Sequence, residues 1–346
     1  MVLGALMIDV EGQTLSAEEQ LRLQHPLVGG VILFSRNYAS PAQMTALTAE
    51  IRALRKPSLL IAVDHEGGKV QRFRQEFSPL PPAACIGALY DQNPQQGIKA
   101  AQQIGWLLAA ELRAVGVDLS FAPVLDLRKG ISSVIQDRAF HADPQVVTLL
   151  AAAFIQGMQS AGMQAVGKHY PGHGSVAADS HLAVPIDWRS LDVIVQEDLI
   201  PFSQLIKQGL PALMPAHVIY PQIDKYPAVF SKIWLTFLRQ QLRFTGAIFS
   251  DDLNMAAAGT VGDMCERVPK AIGAGCDMLL ICNNSDAVGQ VLETFCSYEA
   301  PQAQARVEKL RGTGTWAWQK LHTAQAWQEA QQQLEQLQAL TPSIAA

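Results

Sequence analysis

Three histidines fall within the fourteen residues KHYPGHGSVAADSH (168–181), alongside a lysine, an aspartate and two bend-forming glycines. Imidazoles this dense can hold a metal ion, move protons, or hydrogen-bond a polar ligand. His169 and His173 stand four apart, the spacing of helical zinc ligands, but Pro171 and Gly172 lie between them and forbid a regular helix. No local glutamate completes an H-E-x-x-H pattern around His181. The stretch therefore reads as a strand ending at Lys168–His169 and a long loop running to about Asp187. On an extended segment residues i and i+2 face the same way, so Asp179 can hydrogen-bond His181, set its tautomer and favour its charged form. Such a pair can release a proton and then take one back near neutral pH. The expectation is a proton-transfer device, with no metal and no cofactor.

Two further stretches supply carboxylates and cations. FSDDLNM (249–255) ends an apolar run with adjacent acids. Asp251, at the strand end, suits an ionised nucleophile, whereas Asp252 is placed to cap the following turn. A carboxylate nucleophile plus one proton-transfer group is the minimum set for retaining glycoside hydrolysis. VDHEGGKVQRF (63–73) brings Asp64, which could anchor a hexose through two hydroxyls, and Arg72. Arg138 in QDRAF (136–140) and Lys168 add positive charge, a lining that fits a polar, anionic ligand. For each of these groups the competing reading is an internal ion pair.

What must position these residues is visible in the apolar runs. Eight recur: 3–10, 29–36, 58–66, 117–126, 162–169, 211–217, 246–252 and 276–284. Segments with helical periodicity separate most of them, at 98–115, 144–161, 191–209, 231–244 and 265–274. Pro144 and Ser231 are set to start helices, and Gly116, Gly162, Gly209 and Gly275 to end them. Continuous apolar strands alternating with helices predict a parallel sheet covered on both faces, and eight units predict a (β/α)8 barrel. A doubly wound sheet should carry a glycine-rich phosphate loop after its first strand, and DVEGQ has no such pattern. Asp64, Asp126, Lys168, His169, His217, Asp251, Asp252 and Asn283 all fall at the C-terminal ends of the predicted strands, where barrel enzymes build their sites.

With 346 residues and no linker-like run, the chain is expected to form one catalytic domain over 1–346, closed by a helix at about 316–340. A formal net charge of -5 argues against nucleic acid as a partner. No run reaches the roughly 18 uncharged apolar residues of a membrane span. The five cysteines form no Cys-x-x-Cys pair, and MVLGALMIDVEG lacks a basic leader region, so a cytoplasmic protein with a small-molecule substrate is expected.

Taken together, the motifs at 64–72, 137–140, 168–181 and 249–255 resemble those of the family 3 glycoside hydrolases, in order and spacing over essentially the whole chain. The resemblance implies a (β/α)8 barrel and a two-step retaining mechanism on terminal β-linked N-acetylglucosamine, with peptidoglycan fragments as the natural substrate. It implies Asp251 as nucleophile, His181 as general acid and base, and Asp179 as the group that orients His181. Asp64, Arg72, Arg138, Lys168 and His169 would bind the sugar, and His217 is a further candidate for the same pocket. Many larger relatives take their acid/base from a second domain, and this chain fits the branch that takes it from a barrel loop. His65, Lys69, Ala139 and Tyr170 depart from the commoner residues of the family's motifs. Rival readings are a metal-dependent hydrolase, a sugar phosphorylase of the same fold, and a sugar-binding protein without turnover.

Overall fold

The computed structural model describes residues 3–177, 184–295, 299–314 and 316–339. Each of the eight apolar runs coincides with a short strand, two of which overrun it by one residue: β1 (Leu6–Asp9), β2 (Val28–Leu33), β3 (Leu60–Val63), β4 (Leu119–Ser120), β5 (Val166–Tyr170), β6 (Ala212–Pro215), β7 (Ala247–Ile248) and β8 (Leu279–Ile281). Their side chains are buried along nearly their whole length, as expected where helices cover one face and other strands the opposite one. All pairings among them are parallel, in two sheets of order β8-β1-β2-β3-β4 and β7-β6-β5.

The continuous ladder of eight expected from the sequence is interrupted at two seams. Between β4 and β5, Pro123 has no N–H to donate, and pairing reduces to the bridges Leu119↔Gln164 and Val124↔Lys168. Val166 N still donates to Ala122 O at 2.8 Å and Leu125 N to Lys168 O at 2.6 Å. Between β7 and β8 there is one bridge, Phe249↔Met278, and Ser250 N donates to Met278 O at 2.8 Å. The architecture is α/β with parallel sheets. Alternate strand residues divide two apolar cores: Leu6 and Ile8 face the helices, while Met7, Leu60, Phe121, Val166 and Phe249 form an inner cluster drawn from both sheets. Phe121 and Phe249 meet there edge to face, with centroids 5.3 Å apart.

Helices begin and end largely where local chemistry places them. Asn93 caps Pro94–Ala114, Asp143 caps Pro144–Ser160, and Ser231 caps Lys232–Thr236, each side chain accepting a backbone N–H. Gly116 (φ 86°) and Gly162 (φ 83°) leave the first two in the left-handed region. Elsewhere tertiary contacts override periodicity. The helix expected over 191–209 breaks into Leu191–Gln196 and Leu199–Lys207, because Glu197 and buried Asp198 turn to Arg189, at 3.2 and 2.6 Å. The one expected over 231–244 passes into a π turn at Phe237–Gln241, where Arg239 donates to the Phe244 and Gly246 carbonyls. In place of one helix over 316–340 there are Trp318–Leu321 and Gln325–Gln338. The His322 ring stands edge-on to both Trp318 and Trp327 at the break, and Trp327 Nε1 donates to Glu111 Oε1 at 3.2 Å. No helix among the described residues is long and apolar enough to cross a membrane.

Candidate active site

The residues at or just beyond the C-terminal strand ends converge. Asp64 follows β3, Lys168 and His169 lie in β5, Asp251 follows β7 and Asn283 follows β8. A cavity of about 340 Å³ opens among them, lined by Asp64, Glu66, Arg72, Arg138, Lys168, His169, His173, Asp251 and Asp252, with Phe34, Val134, Met214 and Met255 as part of its apolar wall. A second cavity of about 440 Å³ adjoins it at Asn283. Arg36 there pairs with Asp9 and Arg22 with Glu18, and its lining holds none of the strand-end groups Asp64, Lys168, His169 and Asp251.

One wall is a chain of ion pairs. Lys168 Nζ lies 2.9 Å from Asp64 Oδ1 and 2.6 Å from Glu66 Oε1. Arg138 grips both oxygens of Glu66 at 2.8 Å, and Arg72 approaches Asp64 at 3.7 Å. Burial alone would raise the Glu66 carboxyl, but the two cations overcome it and hold the group well below the usual range. Burial likewise opposes the charge on Lys168, yet Asp64 and Glu66 leave its affinity for the proton raised. Glu66 was missed by the sequence reading. Its signal is that it stands two residues beyond Asp64, on the short extended segment His65–Gly67, and so shares a side with it.

Beside this wall His169 Nδ1 meets Asp126 Oδ2 at 2.6 Å, which leaves Nε2 as its other ring atom for a ligand. Asp126 Oδ1 also accepts the backbone N–H of His173 at 2.7 Å. Burial would raise Asp126, and the neighbouring histidines bring it below its ordinary value. The sequence marks Asp126 as a strand-end residue but not as the partner of His169.

The wall that carries Asp251 and Asp252 is different. Asp251 Oδ1 accepts the backbone N–H of Asp252 at 2.8 Å. Against its burial, His217, His169, that hydrogen bond and Lys168 keep Asp251 below its ordinary value, so it is a carboxylate at neutral pH. Asp252 does act as a cap, its Oδ1 accepting from Asn254 N and Cys282 N, both at 3.0 Å. Burial and the adjacent Asp251 nevertheless push it up to about 7. His217 does not line the cavity. It is fully buried, with Nε2 2.9 Å from the Asp252 carbonyl oxygen, and so supports the carboxylate pair from behind.

His181 and Asp179 lie outside the described residues. Among the described residues no group of three or more His, Cys, Asp or Glu is arranged to hold a metal ion. The four departures from the family's motifs are not among the residues that line the cavity. His65 packs among Phe73 and Phe77, its pKa pushed down to about 3 by burial and by Arg74 and Arg72. Tyr170 is buried and donates to Trp234 O at 3.2 Å. Lys69 is half exposed beside Gln136, and Ala139 is buried.

Comparison with known proteins agrees with this geometry. Residues 4–310 match the model of the glycosyl hydrolase family 3 N terminal domain. The chain is 56% identical over 293 residues to the beta-hexosaminidase of Nitrosospira multiformis, covering 84% of each chain. NagZ from Neisseria gonorrhoeae, solved in complex with N-trifluoroacetyl-D-glucosamine, superimposes with a TM-score of 0.92 at 44% identity, over 97% of this chain and 98% of that one. A structure of NagZ from the same organism in complex with zinc ion gives 0.91 at 43%, with the same coverage.

Proposed function

The chain belongs to glycosyl hydrolase family 3 and is a β-hexosaminidase, and from that premise we propose that it removes terminal β-linked N-acetylglucosamine from peptidoglycan fragments with retention of configuration. The substrate is N-acetylglucosaminyl-1,6-anhydro-N-acetylmuramic acid, with or without its peptide, and the setting is cell-wall recycling in the cytoplasm. Asp251 carries the reading: a carboxylate kept ionised by His217 and His169 lines the same cavity as a polar wall suited to a hexose. Asp251 attacks the anomeric carbon while His181, protonated and oriented by Asp179, gives its proton to the leaving oxygen. The neutral imidazole then takes a proton from water, which displaces Asp251 and frees the sugar. Asp64, Arg72, Arg138, Lys168 and His169 hold the hydroxyls, and the carboxylates of the aglycone favour the cationic side of the mouth. His217 acts from behind Asp251.

The two parallel sheets are read here as arcs of one (β/α)8 barrel in a single catalytic domain. The parallel bridges at both seams and the shared inner core support that reading. A cavity of about 340 Å³ suits one amino sugar with the reacting bond at its rim.

The test is glycosyl trapping with a fluorinated N-acetylglucosaminide followed by peptide mass analysis. The label is expected on Asp251, and a label elsewhere, or turnover with inverted configuration, ends the mechanism. The zinc complex of the Neisseria protein favours one second reading, metal-dependent hydrolysis. Turnover that vanishes with chelator and returns with zinc would establish it. Indifference to chelator is expected.

A further inference from the structure

The mechanism above leaves one buried group in the cavity wall without a task. His173 is 3% exposed, and neither ring nitrogen has a hydrogen-bond partner among the described residues. Buried polar groups are rarely left so, because desolvation is then uncompensated. The ring lines the same cavity as Lys168, His169 and Asp251.

Its position is tightly held. The backbone N–H of His173 is bound by Asp126 Oδ1 at 2.7 Å, while Asp126 Oδ2 takes His169 Nδ1 at 2.6 Å. One carboxylate therefore sets both histidines, whose ring centroids are 5.9 Å apart. The flanking glycines pin the loop. A Cβ on Gly174 would fall 2.0 Å from the Leu127 carbonyl oxygen, and Gly172 (φ 147°) packs against the Asp198 side chain. The ring is thus preorganised in the wall.

We propose that His173 is a further substrate-contacting residue, pairing through its ring with a hydroxyl of the bound pyranose. This rests on the reading of the cavity as a sugar site. A neutral imidazole offers one N–H and one lone pair, and a sugar hydroxyl both donates and accepts. Burial, helped by the neighbouring His169 and opposed by Asp126, keeps the ring in that neutral form. His169 and His173 would then read adjacent positions of one ring, which gives specificity that a single histidine lacks.

The experiment uses the full chain, aryl β-N-acetylglucosaminides that each lack one ring hydroxyl, and the variants His173→Phe and His173→Asn. His173→Phe is expected to raise KM for the parent glycoside roughly tenfold or more, with kcat less affected. The decisive result is selective: one analogue that wild type disfavours is handled by His173→Phe as well as the parent is. His173→Asn, which keeps a donor and an acceptor, restores part of that discrimination. It carries the test alone if the phenylalanine variant fails to fold. Wild-type kcat/KM in both variants, or a uniform loss that preserves the wild-type ranking of all analogues, overturns the proposal and makes His173 structural. If wild type cleaves no β-N-acetylglucosaminide, the functional reading fails instead. Calorimetric binding of N-acetylglucosamine and its deoxy analogues then still judges His173.

Discussion

At the N-terminal ends of the strands, Asp118 and Asp277 are each saturated by partners. Asp118 takes Arg52 at 2.7 Å, Arg113 at 3.2 Å and the Ile61 backbone N–H at 3.0 Å. Asp277 takes Arg239 at 2.9 Å, Arg306 at 2.6 Å and the Ile248 N–H at 2.9 Å. At the C-terminal ends Glu66 and Asp126 are tied as fully, but the pair Asp251 and Asp252 receives only backbone N–H donors among the described residues. Lys168 is shared between two acids, and Asp251 and Asp252 sit side by side with no cation in hydrogen-bonding contact among the described residues. Asp118 and Asp277 are buried, whereas Asp251 and Asp252 are partly exposed at the cavity. Saturated carboxylates tie neighbouring strands to the helices and lock register, whereas undersupplied ones keep lone pairs and protons for a ligand. Fewer ionic partners and access to the cavity together set Asp251 and Asp252 apart from Asp118 and Asp277.

Substitutions at the two ends should therefore fail in different ways. Asp251→Ala is expected to lower kcat by roughly 10⁴-fold or more while sugar binding and Tm stay near wild type; a variant retaining substantial turnover would move the nucleophile elsewhere. Asp118→Ala leaves Arg113 buried without its acid and should cost about 3–5 kcal/mol of stability in denaturant titration. Its KM should not change, and a large KM effect would blur the distinction between the ends. Glu66→Gln keeps the shape of the cation wall but removes its central charge. KM is expected to rise about 10- to 100-fold with a smaller change in kcat.

The smallest effect concerns pH. Asp252, raised from 3.8 to about 7, contributes stability that is fully present below its unfolded value and is lost as pH climbs through about 7. Asp251 and Glu66 are depressed and act oppositely, contributing above their unfolded values and losing that contribution as pH falls through the folded ones. Asp252→Asn keeps the acceptor for Asn254 and Cys282. It should flatten the dependence of Tm on pH between about 4 and 7, and an unchanged profile would mean that Asp252 is ionised throughout.

Much of the site is legible along the chain because strand ends are a local property. Once the apolar runs are marked, Asp64, Lys168, His169 and Asp251 follow as residues that leave the core on one side. His217 was marked by the same rule and ended up behind the carboxylates, since the rule locates a strand end but not the direction of the ring beyond it. Glu66, and the pairing of Asp126 with His169, escaped because they depend on partners 72 and 43 residues away. The helix break at Glu197 escaped for the same reason, its periodicity being overruled by Arg189.

From sequence alone came the alternation of strand and helix, the caps and glycine stops, and the roster of groups delivered to one face. These depend on side-chain period and on backbone chemistry within a few residues. Only the tertiary structure decided which acids are neutralised, which stay short of partners, and that the ring of His173 is left facing the cavity. Those outcomes depend on Coulomb and hydrogen-bond geometry between segments far apart in the chain, and no local pattern encodes such distances.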